Sequence, residues 1–464
     1  MSKPALARDI FRFGTAIALT VALGAVQVFV LPHRMDVATF GQYRVFLVYF
    51  PYFGLLHFGL ADGAFLRWAG RAPAEIHREW RAAFAWMLAM EAVLLIAAVV
   101  AAMSFPETRA LTATFLVAFV LCAMCANVSQ LAAYALQAAG DFRRAGIVAV
   151  AAPASFVAGV LLVPMHSLTA VIGTYAGSLG LSALIGSVMV VMLPGDISTS
   201  ERHGPMHPVQ LVKSGAHVLG ANLAAGLAQS IDRILVSFVV PMTSFALYGF
   251  ASSVAVAGIS ATQTLQRVAL SHAARRDDDE RARFLGTFYD MILAAYGVAL
   301  AGVPLFEHVV ARVVPAYVEA LPIVRAFVVG APFWIALHVV IVGTLQSHAL
   351  VRKQFVIELG GAALVAATTI VCLMLHTELW VVAAAGTAAA AVTWLGGVAI
   401  ANRALPAARE QHAMRFLVVC GWQSAAGAAA LIVSPSWKLQ ALTYVVLAAV
   451  PTAQTIRRAR AALP

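Results

Sequence analysis

The stretch FGTAIALTVALGAVQVFVLPHRMDVATFGQYRVF, residues 13–46, decides how the rest of this chain is read. It opens with an apolar run, Phe11 to Leu31, that is long enough to cross a bilayer, since a spanning helix needs about 20 mostly apolar residues. The run exceeds the hydrophobic core of a secretory signal, about 7 to 15 residues, and lacks a clear small-residue cleavage site after it, so it reads as an uncleaved first span. Pro32 then marks a turn, and a second apolar run begins at Tyr43. The same pattern recurs along the chain. Apolar runs fall at 11–31, 43–65, 82–103, 112–137, 146–164, 169–193, 214–240, 243–268, 284–304, 321–346, 355–376, 379–401, 415–434 and 438–456, which predicts fourteen transmembrane helices and an all-α polytopic fold.

Composition agrees with that reading. Of 464 residues, 62% are hydrophobic and only 11% are charged, and the mean hydropathy is +0.87. Soluble domains carry about 45–50% apolar and about 25% charged residues. The net charge of +10 would suggest nucleic acid in a soluble domain; here the basic residues sit in membrane-proximal loops, so no nucleic-acid partner is expected. Of the 31 Lys and Arg, 24 fall on one side of the fourteen segments and six on the other, with Arg233 inside a run. Short cationic loops resist translocation. That bias places both termini in the cytoplasm of a multispanning bacterial inner-membrane protein.

The longest polar pieces are PGDISTSERHGPMHPVQLVK (194–213) and SHAARRDDDERAR (271–283). The first follows six spans and reads as a cytoplasmic linker. It separates an N-terminal six-helix lobe (1–193) from a second one (214–401), and two additional helices follow in 402–464. SGAHVLGANLAAGLAQSIDRILVSFVVPMTSFALYGFASS (214–253) echoes the opening of the chain. Each copy has an early glycine, a small-residue helix, a proline at the outer turn, and a Phe before a Tyr (Phe40 and Tyr43, Phe245 and Tyr248). Each return helix closes on arginines: Arg67 and Arg71 in one copy, Arg267 and Arg275 in the other. Because both copies start in the cytoplasm, they form a parallel repeat of the kind found in transporter halves.

At these openings the chain resembles the Wzx-type polysaccharide flippases of the multidrug/oligosaccharidyl-lipid/polysaccharide exporter superfamily. The matching pieces are LPHRMDVATFGQYRVF (31–46), FGLADGAFLRWAGR (58–71), LQAAGDFRRAGI (136–147) and SIDRILVSFVVPMTSFALYGFASSV (230–254). The resemblance implies two six-helix lobes around a central cavity plus two extra helices, moving a lipid-linked oligosaccharide from the inner to the outer leaflet. It also implies membrane lipids, polysaccharide polymerase and export proteins as partners, and no cofactor. Lipid II flippases typically carry arginines within their first helix, whereas Gly14 to Leu31 carries no charge. An O-antigen, capsule or exopolysaccharide repeat unit is therefore the expected cargo.

Ionisable side chains at bilayer depth cost at least about 2.5–3.5 kcal/mol and normally face a bundle interior or a wet cavity, so they are the functional pointers. Gln229, Asp232 and Arg233 share one face of span seven, at i, i+3 and i+4. A guanidinium there suits a pyrophosphate or an acidic sugar; the competing reading is a local Asp232–Arg233 pair or a snorkelling arginine. Span eight repeats the spacing with Gln263, Gln266 and Arg267, the amides offering hydrogen bonds to sugar and Arg267 reading as an interfacial anchor. Glu91, Asp290 and Glu358 are candidates for ion coupling or cavity lining. No cation stands near Glu91 on its own helix, so it either needs a partner from another helix or is protonated, since burial raises a carboxylate's pKa. His57 and His338 near span centres read as packing residues, and Asp62 as a helix-end residue.

Four cysteines, Cys122, Cys125, Cys372 and Cys420, lie in apolar segments and imply neither a disulfide framework nor a metal site. No P-loop is present to couple ATP. A cation-coupled drug antiporter of the same superfamily is the main alternative; fourteen spans and an intramembrane arginine favour anionic cargo over it. A membrane polymerase or ligase would need a larger external loop than this chain has.

Overall fold

The computed structural model describes residues 3–69, 71–104, 110–193, 207–256, 278–348, 350–405, 412–433 and 436–462. The described residues are helical and contain no strand. In order, α1 is Lys3–Arg34, α2 Val37–Tyr49, α3 Leu60–Trp68, α4 Pro73–Ser104, α5 Ala110–Ala138, α6 Phe142–Leu162, α7 Leu168–Val191 and α8 Pro208–Val239. The chain continues with α9 (Met242–Val256), α10 (Asp278–Val313), α11 (Leu321–Ala336), α12 (Gly343–Ser347), α13 (Val351–Met374), α14 (Leu379–Ala404), α15 (Ala413–Val433) and α16 (Trp437–Ala462). Ten described helices are long and apolar enough to cross a membrane, or twelve if each of two bent pairs is one span. The protein is a multi-pass membrane protein. Fourteen spans are expected; the two not among these twelve are expected spans seven and eight, where α8 falls short of the apolarity of the others and α9 is described only to Val256, the rest of 243–268 lying outside the described residues. Helix α8 has 32 residues and carries Asp232 and Arg233 within it.

The chain forms two compact units, Met1–Gly226 and Leu227–Pro464. The stretch expected as a linker lies outside the described residues up to position 206; its last residues belong to α8, which starts at Pro208. Proline is favoured in the first helical turn, where its missing N–H has no partner to lose. In the same way α10 begins at Asp278 and takes in the end of the polar stretch 271–283.

In the first unit α5 packs on α4 and α7, and α6 on α1 and α7. Leu60, Trp68, Ile76, Trp80, Met87 and Leu136 form one buried core. A second, aromatic cluster joins Phe46, Phe50, Phe119 and Tyr175, with ring centroids 5.3–6.2 Å apart, separations at which edge-to-face rings attract. In the second unit Tyr289, Phe333, Trp394 and Phe416 fill the corresponding role. Large apolar side chains such as Leu162, Leu184, Met374 and Ile432 stay exposed. In water such a surface would drive association; in a bilayer it meets acyl chains.

Span two is not the single helix that 43–65 suggested. Helix α2 runs into a 3-10 segment, Phe50–His57, and the chain bends by 63° before α3. Phe58 and Gly59 both hold left-handed φ, 49° and 85°. The buried His57 stabilises the break, its Nδ1 accepting from the Gly59 N–H at 3.1 Å. Upstream, Asp36 caps α2 by accepting from Thr39 N–H at 2.9 Å and Thr39 Oγ1 at 2.6 Å. Those bonds, the hydroxyl's first, hold its carboxyl below the usual carboxylate range.

Candidate functional site

Gln229, Asp232 and Arg233 share one face of α8 in the second unit, Asp232 buried and the other two half-buried. Asp232 is 6% exposed and accepts from Tyr248 Oη of α9 at 2.8 Å. Its other oxygen stands 3.6 Å from Arg233 Nε. The Arg233 guanidinium also donates to the Gln229 carbonyl one turn back. Asp232 and Arg233 therefore balance each other locally, as the competing reading anticipated. Neither is thereby removed from the site, because with Gln229, Ser252, Trp334 and Thr387 they line a cavity of about 50 Å³. A space of that size takes a water or two, so any larger cargo requires it to widen.

Gln229 reaches a second polar group. Its Nε2 lies 3.3 Å from His338 Nε2, and the same ring nitrogen lies 3.3 Å from Glu358 Oε1 on α13. His338 Nδ1 faces the Trp334 carbonyl at 2.8 Å. A carbonyl only accepts, so Nδ1 carries a proton and Nε2 is left to face the amide and the carboxyl. His338 sits in a π-helical turn, Leu337–Val342, a rare distortion that often marks functional positions. In sequence His338 reads as a packing residue and Glu358 as a separate candidate; the fold brings them together, and no spacing rule relates residues on different helices.

The remaining candidates disperse. Asp290 does not stand free at a cavity mouth: Arg415 of α15 donates to it at 2.6 Å. Glu91 finds the cross-helix partner it needed in Asn127 of α5, whose Nδ2 donates to Oε1 at 2.5 Å. Gln263, Gln266 and Arg267 lie outside the described residues. His57 caps the break described above, and Asp62 is buried with Tyr134 Oη at 3.5 Å. No group of three or more His, Cys, Asp or Glu among the described residues is placed to hold a metal ion.

A larger cavity, about 410 Å³, was not foreseen. It lies among α10, α11, α14, α15 and α16, lined mainly by apolar groups with Arg325 at its wall. Arg325 forms a two-pronged pair with Glu307, at 2.5 and 2.7 Å. Only Arg325 and Glu307 betray it in the sequence, 18 residues apart across a turn.

The chain matches no protein-family model and no curated protein sequence. Solved structures are another matter. The lipid II flippase MurJ in an inward closed conformation superposes with a TM-score of 0.65 at 12% identity, over 96% of this chain and 98% of that one. The fold is that of MurJ and the MATE transporters. An inward-facing multidrug resistance MATE family transporter of the MOP superfamily gives 0.62 at 13% identity, over 86% and 96% of the two chains. A MATE crystal structure in the straight conformation gives 0.59 at 13%, over 87% and 97%. Identities this low speak to fold alone, and function has to be argued from the site.

Proposed function

We propose that this chain is a flippase that carries a polyprenyl-pyrophosphate-linked oligosaccharide, an O-antigen, capsule or exopolysaccharide repeat unit, from the inner to the outer leaflet of a bacterial inner membrane. Both termini stand in the cytoplasm, and polysaccharide polymerase and export proteins are its partners. The observation that carries the reading is Arg233, a half-buried guanidinium on a cavity wall whose carboxylate neighbour is a loose 3.6 Å away. A phosphate offers a guanidinium paired, parallel hydrogen bonds that a contact of that length does not. The uncharged first span and the MurJ-like fold support the same reading. The cargo's hydrophilic head would occupy a wet cavity while its prenyl chain stays in lipid, through the alternating access such transporters use.

Arg233→Ala is expected to lower polymer export by about 10- to 100-fold, since a hydrogen bond to a charged group is worth about 1.5–3 kcal/mol. Membrane abundance should be unchanged, and Arg233→Lys should lose only part of the activity. Export is read as surface polysaccharide in a strain lacking the endogenous flippase. Undiminished export by the Ala variant would take Arg233 out of the cargo site.

The Gln229–His338–Glu358 contact favours a second reading, a cation-coupled multidrug antiporter. A buried carboxyl beside an imidazole can exchange cations. Ion-dependent efflux of organic cations, with no effect on lipid-linked sugar, would decide for it.

A further inference from the structure

The cavity of about 410 Å³ in the second unit grades from a charged mouth to an apolar floor. Leu300, Val303, Val328 and Leu431 supply apolar walls. Trp380 and Ala428 line it as well and are exposed, so the cavity opens on a surface that a bilayer covers. The helices around it share one end: α10 finishes at Val313 and α15 at Val433, while α11, α14 and α16 begin at Leu321, Leu379 and Trp437. At those ends the Lys438 ammonium lies 5.8 Å from the Trp437 ring and the His308 ring 5.6 Å from it. Tryptophans and cations at helix ends mark the headgroup level of a membrane.

Arg325, four residues into α11, stands at the mouth and pairs with Glu307 through Nε and Nη2. The pair is neutral and still has capacity. A guanidinium carries five donors and a carboxylate about four acceptor sites, and this contact engages two of each. Arg325 keeps 41% of its side-chain surface, so an incoming headgroup can reach it. Tyr444 lies deeper, seven residues past Trp437 and about 10 Å along α16 at 1.5 Å per residue. It lines the cavity, is 3% exposed, and its Oη has no hydrogen-bond partner among the described residues. A buried hydroxyl in that condition favours any ligand that brings it an acceptor.

These groups select a ligand by chemistry. A phosphate suits the spare donors of Arg325. A lipid with net negative charge would meet Glu307, 2.5 Å from the same guanidinium, whereas a headgroup with its own cation meets a partner there. A primary ammonium donates hydrogen bonds to that carboxylate; a quaternary one has no N–H to give. Below the phosphate, a lipid's ester carbonyl is the acceptor that Tyr444 lacks, and the volume falls within the range of about 300–1,000 Å³ that small-molecule sites occupy. We propose that this cavity binds one zwitterionic phospholipid with a primary-ammonium headgroup: phosphate on Arg325, ammonium on Glu307, an ester carbonyl on Tyr444 and an acyl chain along the apolar walls. The site is independent of which cargo the protein moves.

The test uses the purified full chain, delipidated in detergent and offered phosphatidylethanolamine, phosphatidylcholine, phosphatidylglycerol or a polyprenyl phosphate, with bound lipid counted by native mass spectrometry. Wild type should retain one phosphatidylethanolamine at a concentration about tenfold below that needed for the other three, the margin of one charge-assisted hydrogen bond. Glu307→Gln leaves Arg325 without its counter-charge and should turn the preference to phosphatidylglycerol. Tyr444→Phe keeps both charges and the packing, and should weaken phosphatidylethanolamine binding by about 3- to 10-fold. Ala428→Trp, at an exposed lining position, should block retention. Equal retention of all four lipids, a wild-type preference for any of the other three, an unchanged preference in Glu307→Gln, or wild-type binding by Tyr444→Phe or Ala428→Trp overturns the proposal.

Discussion

Gly215→Val should leave almost no folded protein, and Gly215→Ala should already lower the unfolding temperature sharply. A Cβ at position 215 would sit 1.9 Å from the Gly59 carbonyl oxygen and 2.5 Å from the Gly63 backbone nitrogen. The crowding is mutual. A Cβ on Gly63 would meet the Leu211 oxygen at 2.0 Å, and one on Gly59 the Gly215 carbonyl carbon at 2.7 Å. Every atom in these contacts is backbone, so no rotamer change relieves them, and the start of α8 would have to move away from α3. Overpacking a core by a methylene or two costs about 1–3 kcal/mol where side chains can shift; here the whole of that relief is missing. Close backbone approach through small residues is how membrane helices associate when lipid is as apolar as their side chains. Gly220→Ala, on the same helix with nothing within 4 Å of a new Cβ, serves as control and should behave as wild type. Size-exclusion chromatography of heated, detergent-solubilised variants reads the difference. A monodisperse Gly215→Val with an unchanged unfolding temperature would contradict the contact.

The apolar runs are legible because lipid demands about the same length of apolar helix wherever the chain crosses, and twelve of the fourteen expected spans have a helix or bent pair of helices apolar enough to cross; α8, with Asp232 and Arg233 inside it, and α9, described only to Val256, fall short of that measure. The break in span two was hidden by the same apolarity. Phe58 is a left-handed residue with none of the chemistry that normally announces one, and only Gly59 beside it gives a cue. On single helices the spacing rule worked: Gln229, Asp232 and Arg233 do share a face and line one cavity. Across helices it had nothing to offer. Asn127 is 36 residues from Glu91, and Arg415 is 125 from Asp290. Those meetings depend on the rotation and vertical register of separately formed helices, which packing sets and one-dimensional spacing does not encode. The cost of burying Glu91, Asp290 and Glu358 is legible in the sequence, while the groups that answer them are not.

Arg67 and Arg71 show how one residue can satisfy two demands, and Glu79→Ala separates them. In the sequence these arginines count toward the cytoplasmic excess of positive charge. In the fold both converge on Glu79 near the start of α4. Glu79 Oε2 accepts from Arg67 Nε at 3.0 Å and from Trp68 Nε1 at 3.2 Å. Its Oε1 accepts from Arg67 Nη2 at 2.9 Å and Arg71 Nη1 at 3.1 Å. The four bonds fasten α3 and the residues after it onto α4, closing the half-helix left by the break at Phe58–Gly59. Removing the carboxylate strands a buried indole N–H and leaves two guanidinium groups facing each other. Breaking a buried pair from one side costs about 3–5 kcal/mol. The arginines keep 16–21% of their side-chain surface, so water and headgroups recover part of it and about 2–4 kcal/mol remains. Glu79→Gln, which keeps an acceptor oxygen but loses the charge, should fall between Ala and wild type. Arg71→Ala added to Glu79→Ala should restore part of the loss by removing the repulsion, a coupling that a double-mutant cycle measures directly. If Glu79→Ala unfolds at the wild-type temperature, lipid headgroups suffice for both arginines and their role is topological alone.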